Sequence, residues 1–371
     1  MGVICFGSLK GGVGKTSLSV NVAHAFAEKG NETLLIDLDP MGHASRFFAS
    51  EFPKSGTHQE SPLARLFLGS DLDRRGGALN SGNSSNGGSS SAGNSGGLQG
   101  GVIEAAIESY VSLIRPVREQ FTVLPSGPEL RHFLWGRGAR LFKTFFAKLI
   151  EELRCSYDYI IIDTPPDFNV LTRNAIAVAD LVTVPVDSSA MSIHCLEEII
   201  SSAAHIKGPT WLIIRSMVNK QASRVQKLSV SRLQENLALR SCQDIDAESD
   251  SDDDDVVPDI SNPELFISML EEREQKKERR AADAASDRHR PEQKGDDSSP
   301  IFLLNNLVFR SEEQNRLTFA GKTSFDVKGA ANLKDQYLAV ARELDQMLSY
   351  RASADPLLSN EEFSGMGFGL V

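Results

Sequence analysis

Apolar residues in this chain come in short unbroken runs rather than in strict alternation with polar ones. VICFGS near the start, TLLIDLD at 33–39, FTVLPS at 121–126, YDYIIID at 157–163, LVTVPV at 181–186, WLIIRSMVN at 211–219 and IFLLNN at 301–306 each read as a strand covered on both faces. Between them the spacing predicts helices from about Thr16 to Lys29, closed by Gly30, and near 139–153, 170–178 and 222–239, with a last one from about Ala330 to Tyr350. Apolar strands followed by amphipathic helices predict an α/β fold with a mainly parallel, twisted sheet and helices on both faces.

Two stretches break the pattern. Between Asn80 and Gly97 every residue except Ala92 is Gly, Ser or Asn, a composition that buries too little apolar surface to offset the entropy of ordering, so 69–101 reads as a flexible insertion. The second, 243–300, opens with DIDAESDSDDDD and continues into EEREQKKERRAADAASDRHR. Within it NPELFISML has a capping Asn262, Pro263 in the first turn and a short apolar stripe, which fits either a solvated charged helix or one that docks on a partner. Removing both insertions leaves about 280 residues, the size of one α/β domain over 1–350 with a tail at 351–371.

The formal net charge of −11 argues against a nucleic-acid partner until it is located. Residues 243–300 hold 8 Lys/Arg against 19 Asp/Glu, which is the whole excess, and the remaining chain is formally neutral. No apolar run approaches the ~20 residues of a membrane span, and the N-terminus has neither the pattern of a secretory leader nor that of a myristoylated one. The four cysteines are widely scattered and form no C-x-x-C pair, which argues against a zinc or iron–sulfur site and predicts buried, reduced thiols in a cytoplasmic protein.

The candidate chemistry begins at FGSLKGGVGKTSLS, residues 6–19. A strand delivers a glycine-rich turn to a helix N-terminus, the context in which backbone N–H groups around Gly11, Gly12, Val13 and Gly14 surround phosphate oxygens. Lys15 is then placed for the β- and γ-phosphates and the Thr16 hydroxyl for Mg²⁺. Two carboxylates, Asp37 and Asp39, end the strand TLLID, at the carboxyl edge where open α/β sheets bind ligands. Asp163 ends YDYIIID in the manner of a Walker B acid. In WLIIRSMVNKQAS, Asn219-Lys220-Gln221-Ala222 lacks the carboxylate that reads guanine, so adenine is favoured, with Asn219 either near the base or in a plain strand-end turn.

The first loop departs from G-x-x-x-x-G-K-[ST] because Leu9 stands in the first glycine position; K-G-G-V-G-K-T carries a second lysine, Lys10. In this it resembles the deviant Walker A ATPases of the ParA/MinD family, the SIMIBI type of P-loop NTPase. DLDPMGH resembles that family's D-x-D-P-Q-G-N, with Met41 and His43 replacing Gln and Asn, and DYIIIDTPPD resembles its D-Y-I-I-I-D-x-P-P.

The resemblance implies ATP and Mg²⁺ as cofactors. Nucleotide contacts would come from Lys10, Gly11, Gly12, Val13, Gly14, Lys15, Thr16, Ser17 and Asn219, and the metal environment from Thr16, Asp37 and Asp163. It further implies catalytic roles for Lys10, which crosses a homodimer interface to the partner's phosphates, for Lys15, and for Asp39, which orients the attacking water.

On the same resemblance the chain is expected to be a weak ATPase that pairs in ATP, binds nucleoid DNA without sequence preference and positions a plasmid, chromosome origin or protein assembly. A ParB-like or adaptor protein would stimulate hydrolysis. Arg310, Arg316, Lys322 and Lys328 are DNA candidates diluted by Glu312, Glu313 and Asp326, so a solvated surface stands beside that reading. A membrane-bound MinD-like role needs a basic amphipathic terminal helix, whereas SADPLLSNEEFSGMGFGLV has no Lys or Arg. A metabolic or regulatory ATPase on the same scaffold is the remaining alternative.

Overall fold

A strand with apolar side chains at consecutive positions sends them alternately to its two faces, so both faces need cover. The computed structural model describes residues 1–52, 103–104, 106–134, 137–187, 189–218, 301–309, 311–353 and 369–370. The chain divides into one compact unit of Met1–Leu237 with Ser298–Val371 and another of Ala238–Asp297, and all described residues belong to the first. The strands are β1 (Gly2–Phe6), β2 (Thr33–Asp37), β3 (Arg115–Arg118), β4 (Phe121–Leu124), β5 (Tyr159–Asp163), β6 (Leu181–Val186), β7 (Thr210–Val218), β8 (Ile301–Phe309) and β9 (Gly369–Leu370). The helices are α1 (Lys15–Ala27), α2 (Arg137–Leu153), α3 (Val170–Val178), α4 (Ala190–Ser202), α5 (Glu312–Phe319) and α6 (Ala331–Ser353), with further helical turns at 103–104 and 106–111.

These strands form one sheet in the order β3-β4-β2-β5-β1-β6-β7-β8-β9. Pairing is parallel from β4 to β8 and antiparallel at the two edges, where β3 meets β4 and β9 meets β8. The chain leaves β1 toward β2 on one side and leaves β5 toward β6 on the other. That reversal opens a crevice at the carboxyl ends of β1 and β5, the place where such sheets take ligands.

The alternation is visible in the two cores. Val3, Cys5, Ile160 and Ile162 lie in a cluster with Phe142, Phe145 and Leu149 of α2 and Leu196 of α4. Ile4, Phe6, Leu35 and Ile161 lie in another with Leu18, Val22 and Phe26 of α1 and Tyr337, Val340 and Leu344 of α6. β1, β2 and β5 are therefore buried along their whole length.

The expected strands and the helices near 16–29, 139–153, 170–178 and 330–350 are present, within a few residues at their ends. The helical turns at 103–104 and 106–111, β3, α4 and α5 are structure that the hydrophobic pattern did not predict. The helix expected near 222–239, the insertions at 69–101 and 243–300, and most of the tail lie outside the described residues. The expectation of buried thiols holds for Cys5 and fails for Cys155, which is exposed because it follows the end of α2 in a surface turn. No helix among the described residues is long and apolar enough to cross a membrane.

Phe145 is fully buried between the rings of Tyr110 and Phe142. Replacing Phe145 by Ala is expected to lower the unfolding free energy by about 3–5 kcal/mol, measured by denaturant titration, because the cavity cannot close between an aromatic cluster and a sheet.

Candidate functional site

β1 ends at Phe6, and the glycine turn beyond it reaches α1 through Gly12 at φ 79° and Gly14 at φ 80°, backbone that favours glycine. No heavy atom lies within 4 Å of the position a Cβ would take on Gly11 or Gly12, so the loop faces open space. Its underside is fixed: Val13 is buried, and its carbonyl accepts a 2.6 Å hydrogen bond from Ser216 Oγ near the end of β7. α1 starts at Lys15 without a side-chain cap and with no acid in its first turn, which leaves its first N–H groups and positive dipole end to an anion.

Asp163, at the end of β5, is fully buried and takes three donors from the first turns of α1. Lys15 Nζ lies 3.0 Å and Ser19 Oγ 3.0 Å from Oδ1, while Thr16 Oγ1 lies 2.9 Å from Oδ2. Lys15 Nζ also donates to the Thr164 carbonyl. Lys15, Thr16 and Asp163 thus meet in one place, whereas Ser17 lies on another side of α1, with its hydroxyl 3.4 Å from that of Thr318.

Next to Asp163 in the β2–β5 register is Asp37. Its carboxylate is buried and accepts from the Asp39 N–H at 3.0 Å, the Ser45 N–H at 2.8 Å and the Ser45 hydroxyl at 2.7 Å. Burial, and then the neighbouring Asp163 charge, push the Asp37 carboxyl up to about 7, with the Ser45 and Asp39 hydrogen bonds pulling the other way. Asp39 is also buried; its Oδ1 accepts from the Met41 N–H at 2.9 Å, and its Oδ2 lies 2.8 Å from His43 Nδ1.

Lys10 is held within its own chain. Its Nζ is 2.5 Å from Asp187 Oδ2 and 2.8 Å from Ser189 Oγ, at the N-terminus of α4, and about a quarter of each side chain in the ion pair is exposed. Burial raises the Asp187 carboxyl, but hydrogen bonds from Lys10, Ser189 and Ser192 outweigh it and hold the group below the usual carboxylate range. Asn219, the expected base contact, lies outside the described residues, as does Arg310. Arg316, Lys322 and Lys328 are exposed.

Sequence reasoning did not single out Ser19, Ser45, Ser126, Asp187, Ser189 or Ser216. Ser189 carried a readable signal, since its hydroxyl accepts from the Ser192 N–H as an N-cap, but the others act through long-range contacts that no local spacing encodes.

A family model described as an AAA domain matches residues 1–210. The chromosome partitioning protein ParA of Myxococcus xanthus is 28% identical over 211 residues, covering 55% of this chain and 59% of its own length. This chain belongs to the ParA/MinD family. Its fold is shared by a plasmid partition protein from Borrelia burgdorferi B31 solved with AMPPNP, at TM-score 0.53, 17% identity and coverage of 93% of this chain and 99% of that one. Apo McdA from Cyanothece matches at TM-score 0.54 and 14% identity over the same shares. The match to the ParA of Caulobacter vibrioides NA1000 spans 63% of that protein's length.

The raised Asp37 group gives a sign for the pH dependence of this member. A carboxyl at 3.8 when unfolded and about 7 when folded keeps its proton longer in the native state, so the native state binds more protons between those values. Stability contributed by the protonated group is complete below the unfolded value and is lost as pH rises toward 7. Without nucleotide or magnesium, denaturant midpoints of the wild type are expected to fall across that interval, and the Asp37→Asn variant is expected to lose this part of the slope.

Proposed function

We propose that this family member is an ATP-driven positioning switch: a homodimer that closes on ATP and Mg²⁺, binds nucleoid DNA in that state, and carries a plasmid, chromosome origin or protein assembly. The observation that supports it most directly is the convergence of Lys15 and Thr16 on Asp163 beneath the open Gly11–Gly12 loop. The partition proteins among its relatives support the positional role.

The residues fit the cofactors. Phosphate oxygens suit an open glycine turn at an uncapped helix end, and Mg²⁺ is usually held by one or two carboxylates and hydroxyls together with phosphate oxygens, a donor set of the kind Thr16, Asp37 and Asp163 provide. Bound ATP supplies the phosphoanhydride whose hydrolysis ends the paired state, and Mg²⁺ neutralises its charge. Lys15 turns from Asp163 and Thr164 to the phosphates of its own subunit. Lys10 leaves Asp187 for those of the partner subunit. Asp39 orients the attacking water, and a ParB-like or adaptor protein accelerates the slow basal step.

Lys15→Ala is expected to weaken binding of a fluorescent ATP analogue by roughly a hundredfold, since charge-assisted hydrogen bonds to phosphate are lost. Lys10→Ala should bind the analogue within a few-fold of wild type yet stay monomeric in analytical ultracentrifugation with a non-hydrolysable ATP and magnesium. Equal loss of binding in both variants would contradict the division of labour.

DNA binding should require ATP and weaken steeply between low and moderate salt, as phosphate contacts do. Lys322→Glu with Lys328→Glu should remove it in a gel-shift assay while leaving ATP-dependent pairing intact. Retention of DNA by that double variant would place the contact elsewhere.

A further inference from the structure

His43 stands where the motif it resembles has Asn, and its imidazole meets the one carboxylate to which the proposed reaction assigns the attacking water. Nδ1 is 2.8 Å from Asp39 Oδ2. A carboxylate can only accept, so the ring proton sits on Nδ1 and the hydrogen bond runs from His43 to Asp39. The other oxygen, Oδ1, accepts from the Met41 N–H at 2.9 Å. Asp39 is thus gripped on both oxygens, which fixes the plane of its carboxylate, and each oxygen keeps a further lone pair for a water molecule.

The loop does not need His43 for its shape. The turn Asp39-Pro40-Met41-Gly42 is closed by the Gly42 N–H on the Asp39 carbonyl at 2.7 Å, and the Arg46 N–H follows on the Gly42 carbonyl at 3.1 Å. Gly42 at φ 64° redirects the chain so that His43 returns to the residue four before it. Behind the turn, Ser126 donates to the Asp39 carbonyl, and its own N–H bonds Ser45 Oγ at 2.9 Å, so the backbone is anchored from β4's far end as well. About half of the His43 side chain is exposed, against 3% for Asp39, so burial of the ring contributes little. What the ring adds is one donor to a carboxylate that is nearly out of water.

We propose that His43 is a positioning residue for hydrolysis: its Nδ1–H orients the Asp39 carboxylate toward the attacking water, a task that an Asn amide N–H can also perform. The inference rests on the proposed role of Asp39, and the test separates the two. Full-length wild type, Asp39→Asn, His43→Ala, His43→Asn and the double variant Asp39→Asn/His43→Ala are compared for ATP turnover at saturating ATP and magnesium, after circular dichroism has established folding.

Loss of one hydrogen bond to a charged group predicts roughly a tenfold fall in kcat for His43→Ala with KM for ATP within about twofold, and His43→Asn recovers most of that loss. Asp39→Asn abolishes turnover, and adding His43→Ala to it changes nothing more, because the two act as one unit. Independently of turnover, ¹⁵N spectra of histidine-labelled protein should show a protonated Nδ1 in the His43 ring, the resonance being assigned by its absence from His43→Ala, and Asp39→Asn should shift it.

His43→Ala that turns over like wild type while Asp39→Asn is inactive overturns the inference and leaves the Asp39 role standing. Equal losses in His43→Ala and His43→Asn overturn the donor assignment. Wild-type turnover by Asp39→Asn removes the Asp39 role and the inference with it. A His43 ring whose nitrogen shifts ignore Asp39→Asn overturns the inference whatever the turnover rates.

Discussion

The buried carboxylate of Asp163 is the constraint around which this end of the molecule is arranged. An ionised group with no access to water is stable only if donors surround it, and among the described residues the side-chain donors to Asp163 come from one short stretch of α1: Lys15, Thr16 and Ser19. Those three bonds clamp the first turns of α1 onto the end of β5, and the position of the glycine turn between β1 and α1 follows from that clamp. Removing one donor leaves the charge under-solvated, which costs more than the bond itself contributes when formed. The same clamp holds the buried Lys15 ammonium against Asp163 and the Thr164 carbonyl.

The neighbouring strand shows how two nearby carboxylates are given different characters. Asp37 sits beside Asp163 in the register, and burial with like-charge repulsion raises it despite three hydrogen bonds. A hard divalent cation would relieve that repulsion and reverse the shift. Asp39, two residues on and past the strand end, is instead held from both sides by Met41 and His43. Ser45 and Ser126 join the two sites, since Ser45 bonds Asp37 and also accepts from the Ser126 N–H, while Ser126 bonds the Asp39 carbonyl. Two serines thus link the Asp37 carboxylate by hydrogen bonds to the backbone that carries Asp39.

Much of this was legible in the sequence where local chemistry and global fold agree. β1, β2 and β5 are buried on both faces, so their apolar runs are unbroken and easily read, and the acids that end β2 and β5 are exceptions that stand out. β3 reads RPVR, an edge strand of a short hairpin with one buried position, too polar and too brief to announce itself. α5, which begins EEQNR, presents so few apolar residues that only its Ser311 cap marks it. At the site, Lys15 and Thr16 meet Asp163, whereas the Lys10–Asp187 pair joins positions 177 apart and depends on β1 and β6 being neighbours in the sheet, which no motif specifies.

The opposite face of α1 extends the argument from chemistry to surface. Ser17, Asn21 and His24 recur at helical spacing and meet α5 and the loop after it: Ser17 meets Thr318 in the last turn of α5 at 3.4 Å, Asn21 accepts from the Ser324 N–H and hydroxyl at 2.8 Å each, and His24 Nδ1 lies 2.8 Å from Thr323 Oγ1. Burial lowers His24 to about 4, so the ring is neutral near pH 7 and contributes a hydrogen bond rather than a charge. Asp326 closes the loop by accepting from the Thr323 N–H at 2.9 Å and from Arg118 Nε at 2.9 Å. Breaking the buried Asn21–Ser324 and His24–Thr323 pairs would cost about 1–3 kcal/mol for each group left unsatisfied, so these bonds tie the loop to α1. One helix thus bonds the buried Asp163 with one side and, with the other, the loop that carries the exposed Lys322 and Lys328.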